Sequence, residues 1–200
     1  MIEDVIKYLE DSIYNRELAD NIDLSGKDVM FRDFSGLMAD RLNAEKTNFK
    51  ASIFESASFK DCYFLETNFR SCSLEDVEII DSRFSRADFK KANLKDSRIV
   101  ISFGDGTCFD KSDLSNVEFE DVSLIESSFK EASLINVNIS DSSFKNSNFT
   151  GASILNSKFK NSDFSGANLS RLILKETIFE NCIFKNAILG ENVKLILGMN

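Results

Sequence analysis

The feature that most constrains this chain is a period of five. From Phe49 to Leu189, every residue whose number ends in 4 or 9 is Phe, Leu or Ile, except Gly104. Sixteen of the 19 phenylalanines stand in this set. Two residues earlier, at numbers ending in 2 or 7, the positions from Thr47 to Ala187 hold Ala, Ser, Thr, Cys or Val, with Leu172 the exception. The register never slips over residues 47–191. Leu24, Val29 and Phe34 fit the same phase, which is lost at Ala39 and Ala44.

Five matches neither the 3.6-residue period of an α-helix nor the two-residue period of a strand. Two inward positions in five, one large and one small, imply a coil that turns a corner at each pentad. Stacked coils would pair their backbones about 4.8 Å apart. A second periodicity, of 20, points to four sides. Phe49, Phe69, Phe89, Phe109, Phe129 and Phe149 would then stack on the first side. Leu74, Leu94, Leu114 and Leu134 follow Phe54 on the second, and Ile79, Ile99 and Ile139 mark the third.

Pentads such as Ala87-Asp88-Phe89-Lys90-Lys91, Ala92-Asn93-Leu94-Lys95-Asp96 and Ala167-Asn168-Leu169-Ser170-Arg171 resemble those of the pentapeptide-repeat family. The resemblance covers about three quarters of the chain. It implies an all-β solenoid, a right-handed quadrilateral β-helix with four pentads to a coil. The expected organisation is an N-terminal helical cap (residues 1–20), the repeat region (21–191, irregular at 35–46, with a bulge at 102–106) and a C-terminal tail (192–200). Ile2, Val5, Ile6, Leu9 and Ile13 form one face of a helix expected over 2–17. Such a helix would cover the apolar end of a solenoid.

At 102–106, Gly104 stands where a large residue belongs. Either Phe103 replaces the missing side chain in a bulge, or it points outward and joins Ile80, Val100 and Ile101 in an exposed apolar patch. At the other end Ile173, Ile178, Ile183 and Ile188 occupy the normally polar position before the large residue on all four sides of the last coil, followed by Leu195, Ile196 and Leu197. The expectation is a homodimer joined at this C-terminal end, through Ile173, Ile178, Ile183, Ile188, Leu195 and Leu197. The alternative is a tail folded back over the isoleucines.

Charge excludes some functions. The chain carries 33 acidic and 24 basic residues, a net of −9, which argues against general nucleic-acid binding. Within residues 47–191, the second and third sides each carry a net −4, the first +3, and the fourth balances. On the third side Asp61, Asp81, Asp121 and Asp141 share a column interrupted by Ile101, with Glu78, Glu118 and Glu120 beside it. This is the candidate acidic interaction stripe. The competing reading is local, since Asp favours turns.

There is no histidine, which removes the commonest general base and metal ligand. Carboxylate pairs such as Glu118 and Glu120 lie on a convex surface, so no enzyme, metal or cofactor is expected. Cys62, Cys72 and Cys182 occupy the small inward position and Cys108 an outward one, without C-x-x-C spacing. Free thiols, the lack of a signal-like start and the lack of a membrane-length apolar run point to the cytoplasm. Relatives in this family include proteins that protect DNA gyrase and topoisomerase IV from quinolones or peptide toxins by resembling duplex DNA. The resemblance therefore implies a type II topoisomerase as partner. Such relatives often carry loops between coils, which residues 47–191 lack. The alternative is a scaffold for an unidentified protein partner.

Overall fold

A computed structural model describes residues 2–198. One polypeptide path winds through about nine turns, and each turn takes 20 residues. Every backbone pairing is parallel and joins residue n to residue n+20, as in Leu18↔Met38, Asn48↔Asn68 and Lys158↔Ile178. The third side is the most strand-like. Nine short strands, from Leu18–Asp20 to Ile178–Glu180, form one continuous sheet there. At the interstrand spacing, nine strands make a rod about 40 Å long.

The path turns because every fifth residue is left-handed. Each residue whose number ends in 1 or 6, from Arg16 to Asn186, has positive φ, near +50° to +60° unless it is glycine. The corner N–H then donates to a carbonyl of the next coil, as Ala51 does to Arg70 at 3.0 Å and Ser71 to Lys90 at 3.1 Å. The residue before the large side chain settles another donor. Where it is Asp or Asn, its side chain accepts the N–H two residues on, as in Lys50 to Asn48, Arg70 to Asn68, Lys90 to Asp88 and Ser115 to Asp113. The third side carries Asp or Asn there only at Asn138, and its backbone stays extended.

The core has two interlocking parts. The large residues stack in columns, most regularly on the first side. The rings of Phe69, Phe89, Phe109, Phe129 and Phe149 lie 4.6–5.1 Å apart and within 13° of parallel. The small residues do more than fill space. Thr47, Thr67, Ser97 and Ser157 donate their hydroxyls to the carbonyls of Leu24, Ala44, Leu74 and Leu134, each 23 residues back. Several serine oxygens also accept an N–H from the preceding coil: Ser82 from Cys62, Ser97 from Val77 and Ser157 from Val137. The serine oxygens thus give the buried N–H groups of Cys62, Val77 and Val137 an acceptor that an alanine would not supply.

Two expectations about the repeat need correction. Residues 35–46 are regular. Leu37 and Leu42 fill the small position while Ala39 and Ala44 fill the large one, and all four are buried. The pair is exchanged within each pentad, so inward volume is retained and the coil does not change path. Nor is there a bulge at 102–106. Phe103 pairs with Arg83 and Ser123 in the common register and points outward, 54% exposed. The space over Gly104 is taken by Phe84, whose ring would lie 2.0 Å from a Cβ placed there. The adjoining strands, Arg98–Phe103 and Glu118–Ser123, are the longest among the described residues.

A helix caps each end of the core, fully at the N-terminal end and partly at the C-terminal one, where Leu174, Phe179, Phe184 and Leu189 stay partly exposed. Helix α1, Ile2–Asn15, buries Ile6, Leu9 and Ser12 against the first coil, with Ile2, Val5 and Ile13 partly buried beside them. It stops two residues before the expected end because Arg16 already takes the left-handed corner that begins the five-residue register. Glu3 reaches Arg32 at 3.0 Å and ties the helix to the coil. At the other end α2, Glu191–Ile196, drops Val193 fully into the core, and Asn192 donates to the Leu172 carbonyl at 2.6 Å.

Phe129 lies between Phe109 and Phe149 with its ring fully buried. Phe129→Asp is expected to lower the melting temperature sharply, since it buries an unpaired carboxylate. Phe129→Leu, the residue used at Leu169 and Leu189 on the same side, is expected to cost far less. Equal melting temperatures for the wild type and Phe129→Asp would overturn the side assignment. Gly104→Ala is expected to destabilise by about 1–3 kcal/mol through overpacking against Phe84. Phe84→Leu should recover part of that loss, a coupling that a double-mutant cycle in urea would measure.

Candidate functional site

The surface of the rod is convex, so any site is a pattern across coils. The four columnar aspartates fall where the spacing places them. Asp61, Asp81, Asp121 and Asp141 all stand at the left-handed corner, with φ between 50° and 53°. Asp and Asn tolerate this conformation because their short polar side chains bond locally. The column continues as Asn161 and Asn181, and the side chains form a ladder: Asn161 donates to Asp141 at 2.9 Å and Asn181 to Asn161 at 3.3 Å. The local reading of these residues therefore has a geometric basis.

The stripe is not uniformly acidic. Arg98 lies one coil from both Glu78 and Glu118, and it reaches Glu118 at 3.1 Å and Glu120 at 3.3 Å. That guanidinium divides the stripe at its centre. Asp81, Asp121 and Glu78 make no side-chain hydrogen bond or ion pair among the described residues. Arg98 could have been suspected as a clamp from its place in the 20-residue register, but its choice of two glutamates depends on side-chain geometry that periodicity does not encode.

Carboxylates in the Asp/Asn turn position behave differently. Asp33 and Asp23 are held below the usual carboxylate range by hydrogen bonds from the hydroxyls and N–H groups of Ser35 and Ser25. At Asp163 burial works upward, but Ser165 and Lys145 outweigh it and the shift is downward. These groups stabilise the fold when ionised, a contribution present above the ordinary carboxylate range and lost as pH falls through it. Their charge is committed to turns.

The C-terminal belt is open. Ile173, Ile178, Ile183 and Ile188 are 52–63% exposed, one on each side of the last coil, and Leu195 is exposed beside them. Among the described residues, the tail does not fold back over these isoleucines. It turns inward instead, with Val193 buried and Leu197 packed partly against the core. Leu197 therefore belongs to the cap more than to the belt.

The hollow lined by Asn21, Arg41, Asn43, Glu45, Asp61 and Tyr63 has a volume of about 380 Å³ and is open to solvent. Its Arg41 is engaged by Asp20 and Asp40. Among the described residues no group of His, Cys, Asp and Glu is arranged to hold a metal. Burial pushes the Cys62 and Cys72 thiols up to about 12, so both are protonated and inert near neutral pH. No helix among the described residues is long and apolar enough to cross a membrane.

Comparison with known proteins places this geometry. A search of curated proteins finds no match. Among solved structures, a trypsin-treated variant of QnrB1, a plasmid-mediated fluoroquinolone resistance protein, aligns with a TM-score of 0.59 at 20% identity, covering 86% of this chain and 84% of that one. A second trypsin-treated QnrB1 variant gives 0.50 at 19% identity, covering 87% and 85%. HetL, a pentapeptide-repeat protein involved in heterocyst differentiation regulation from the cyanobacterium Nostoc sp. strain PCC 7120, gives 0.45 at 16% identity, covering 85% and 90%. At such identities these likenesses speak to the fold alone. The family model for pentapeptide repeats matches residues 67–99 and, in overlapping stretches, 112–186, with 8 copies. More than half of the chain is thereby matched, and the protein belongs to the pentapeptide-repeat family, with its right-handed quadrilateral β-helix.

Proposed function

We propose that this protein is a non-catalytic protein-binding rod that docks on a type II topoisomerase, DNA gyrase or topoisomerase IV, and protects it from quinolones or peptide toxins. The observation that carries the reading is the placement of charge on a rigid rod. Two adjoining sides hold a net −8 over residues 47–191, and the opposite half, the first and fourth sides together, holds +3. Asp61, Asp81, Asp121 and Asp141 are fixed to backbone corners, so their spacing along the axis is preset. The fold shared with QnrB1 is consistent with this reading.

Magnitudes set the character of the complex. Duplex DNA carries one charge per about 1.7 Å of axis. The acidic half of this rod carries −8 over about 35 Å, roughly one net charge per 4 Å. Its electrostatic attraction is thus less than half that of DNA per unit length. Binding is therefore weaker than that of a DNA segment of equal length, and salt at the physiological Debye length of about 8 Å screens it further.

A second reading, a scaffold for another protein, is favoured by one observation. Ile101 and Phe103 expose apolar surface in the middle of the acidic third side and its corner, which a DNA mimic has no use for. In either reading the rod acts as a homodimer joined at the C-terminal belt of Ile173, Ile178, Ile183, Ile188 and Leu195, with Leu197 beneath it.

Gyrase supercoiling titrated with the protein, with and without a fluoroquinolone, tests the first reading. Inhibition at low-micromolar protein, or rescue from the drug, is the expected outcome. The double variant Asp81→Lys/Asp121→Lys should shift the titration midpoint by about tenfold or more. It should still fold, because Lys46, Lys91 and Lys111 already occupy such corners. No effect on gyrase or topoisomerase IV from the source organism would leave the scaffold reading. Light scattering tests the belt: wild type should be a dimer and Ile178→Lys a monomer, and a dimer that survives the substitution would remove this end as the contact.

A further inference from the structure

The middle of the rod breaks two of its own rules at one place. Among the described residues, Ile101 is the only β-branched residue at a left-handed corner, with φ of 49°. A β-branched side chain is poorly suited to that conformation, and a residue held there carries strain of order 1–3 kcal/mol. Burial does not offset this, because half of Ile101 is exposed. The residues one coil away at the same corner, Asp81 and Asp121, are of the type that takes the conformation easily. Two residues on, Phe103 faces solvent while Gly104 faces the core. Exchanging those two residues would match the repeat.

Both departures put apolar surface on the same corner, between the third and fourth sides. Ile80 is half-buried beside Val100, its neighbour in the next coil. Tyr63 is exposed one coil beyond Arg83, whose guanidinium lies 5.8 Å from the tyrosine ring. Ile101 and Phe103, with Ile80 one coil below, thus put apolar surface on this corner, and Tyr63 lies two coils below Phe103 with Arg83 between them. The rim of this apolar surface is anionic. Asp81 and Asp121 flank Ile101 along the column, Glu78 lies on the coil below, and all three carboxylates are unpaired among the described residues. The nearby Arg98 is engaged by Glu118 and Glu120.

We propose that this corner is a docking site for a cationic amphipathic helix of a partner protein. The apolar face of the helix would lie on Ile101 and Phe103, and its lysines or arginines would pair with Asp81 and Asp121. The charge selects this occupant. An anionic membrane or a nucleic acid would be repelled by the rim. A second copy has no matching element: α1 carries Glu3, Asp4, Glu10 and Asp11, and on the lysine-rich first side the large apolar residues point inward. The site requires no topoisomerase and is tested without one.

The test uses the full-length protein and a labelled helical peptide of about 14 residues, with Leu and Phe at i, i+3, i+4 and i+7 and Lys on its other face. Fluorescence anisotropy should show saturable micromolar binding at about 50 mM salt, weakened several-fold at about 300 mM. The double variant Ile101→Asn/Phe103→Ser should weaken it about tenfold or more, while Ile101→Asn alone raises the melting temperature by relieving strain. Asp81→Asn/Asp121→Asn should flatten the salt dependence. Several results would overturn the proposal: no saturation by about 1 mM peptide, equal binding of a peptide with Glu in place of Lys, or equal binding by the double variant. A lower melting temperature for Ile101→Asn would show that Ile101 serves packing. Self-association abolished by the double variant would make a second copy the occupant.

Discussion

The structure depends on a left-handed residue at every fifth position. A single such residue is a common turn device, but here it recurs without a gap from Arg16 to Asn186. For an L-residue the conformation is disfavoured by roughly 1–2 kcal/mol where Cβ crowds the following carbonyl. Summed over the rod, that cost would exceed the net stability of a typical domain. It is borne because the corner N–H groups between Asn21 and Asn161 meet carbonyls of the next coil, as in Asn21 to Asp40 and Asn161 to Glu180, while the turns bury large and small side chains in the core. Corner strain, the 20-residue hydrogen-bond register and the core therefore form one cooperative arrangement. Removing the neighbouring coil would leave a corner strained and its donor unpaired.

That constraint bears on what the acidity means. Asn and Asp supply fourteen of the thirty non-glycine corner residues. They also supply the acceptors that hold the N–H two residues on at many of the turns. A rod of this kind acquires carboxylates for conformational reasons before any partner is considered. The columnar aspartates can serve a partner, but their presence alone does not distinguish a mimic of DNA from a well-made corner. What distinguishes surfaces is the state of each carboxylate. Asp33 is committed to a turn, Glu118 and Glu120 to Arg98, and Asp81 and Asp121 to nothing within the chain.

Much of the fold was legible because the period of five is a spacing argument, and spacing survives without coordinates. The four-sided stacking, the burial of Phe129 and the helical cap all follow from residue positions. What was not legible depended on exchange between positions. Leu37 with Ala39, and Leu42 with Ala44, keep the inward volume while reversing its order, so a test for large residues in one column reads them as a loss of pattern. Gly104 looked like a defect to be repaired by its neighbour, yet Phe84, 20 residues away in sequence and one coil away in space, fills the gap. The tail was legible as apolar, but not as divided between Val193 turned inward and Leu195 turned outward. For the surface, periodicity located the acidic column and the isoleucine belt but not the Arg98 clamp, because long side chains choose partners by reach.

A repeat this regular gives a particular meaning to its exceptions. In a solenoid each coil contacts only its neighbours, so selection for stability acts alike on every coil and drives each position toward the same residue types. Departures that preserve packing, such as the Leu37/Ala39 exchange, are neutral under that pressure. Departures that expose apolar surface and add strain are not, and they persist only where something outside the chain rewards them. The corner of Ile101 and Phe103 at mid-rod combines both, as does Phe31 near the first coils, while the belt of Ile173, Ile178, Ile183 and Ile188 at the last coil exposes apolar surface without left-handed backbone. The belt and the mid-rod corner differ in what surrounds them. The belt encircles a terminal coil whose large residues are only partly covered, so it suits a contact that also closes the end of the core. The mid-rod corner lies over a complete core and is edged by unpaired carboxylates, so it suits a partner that brings its own positive charge.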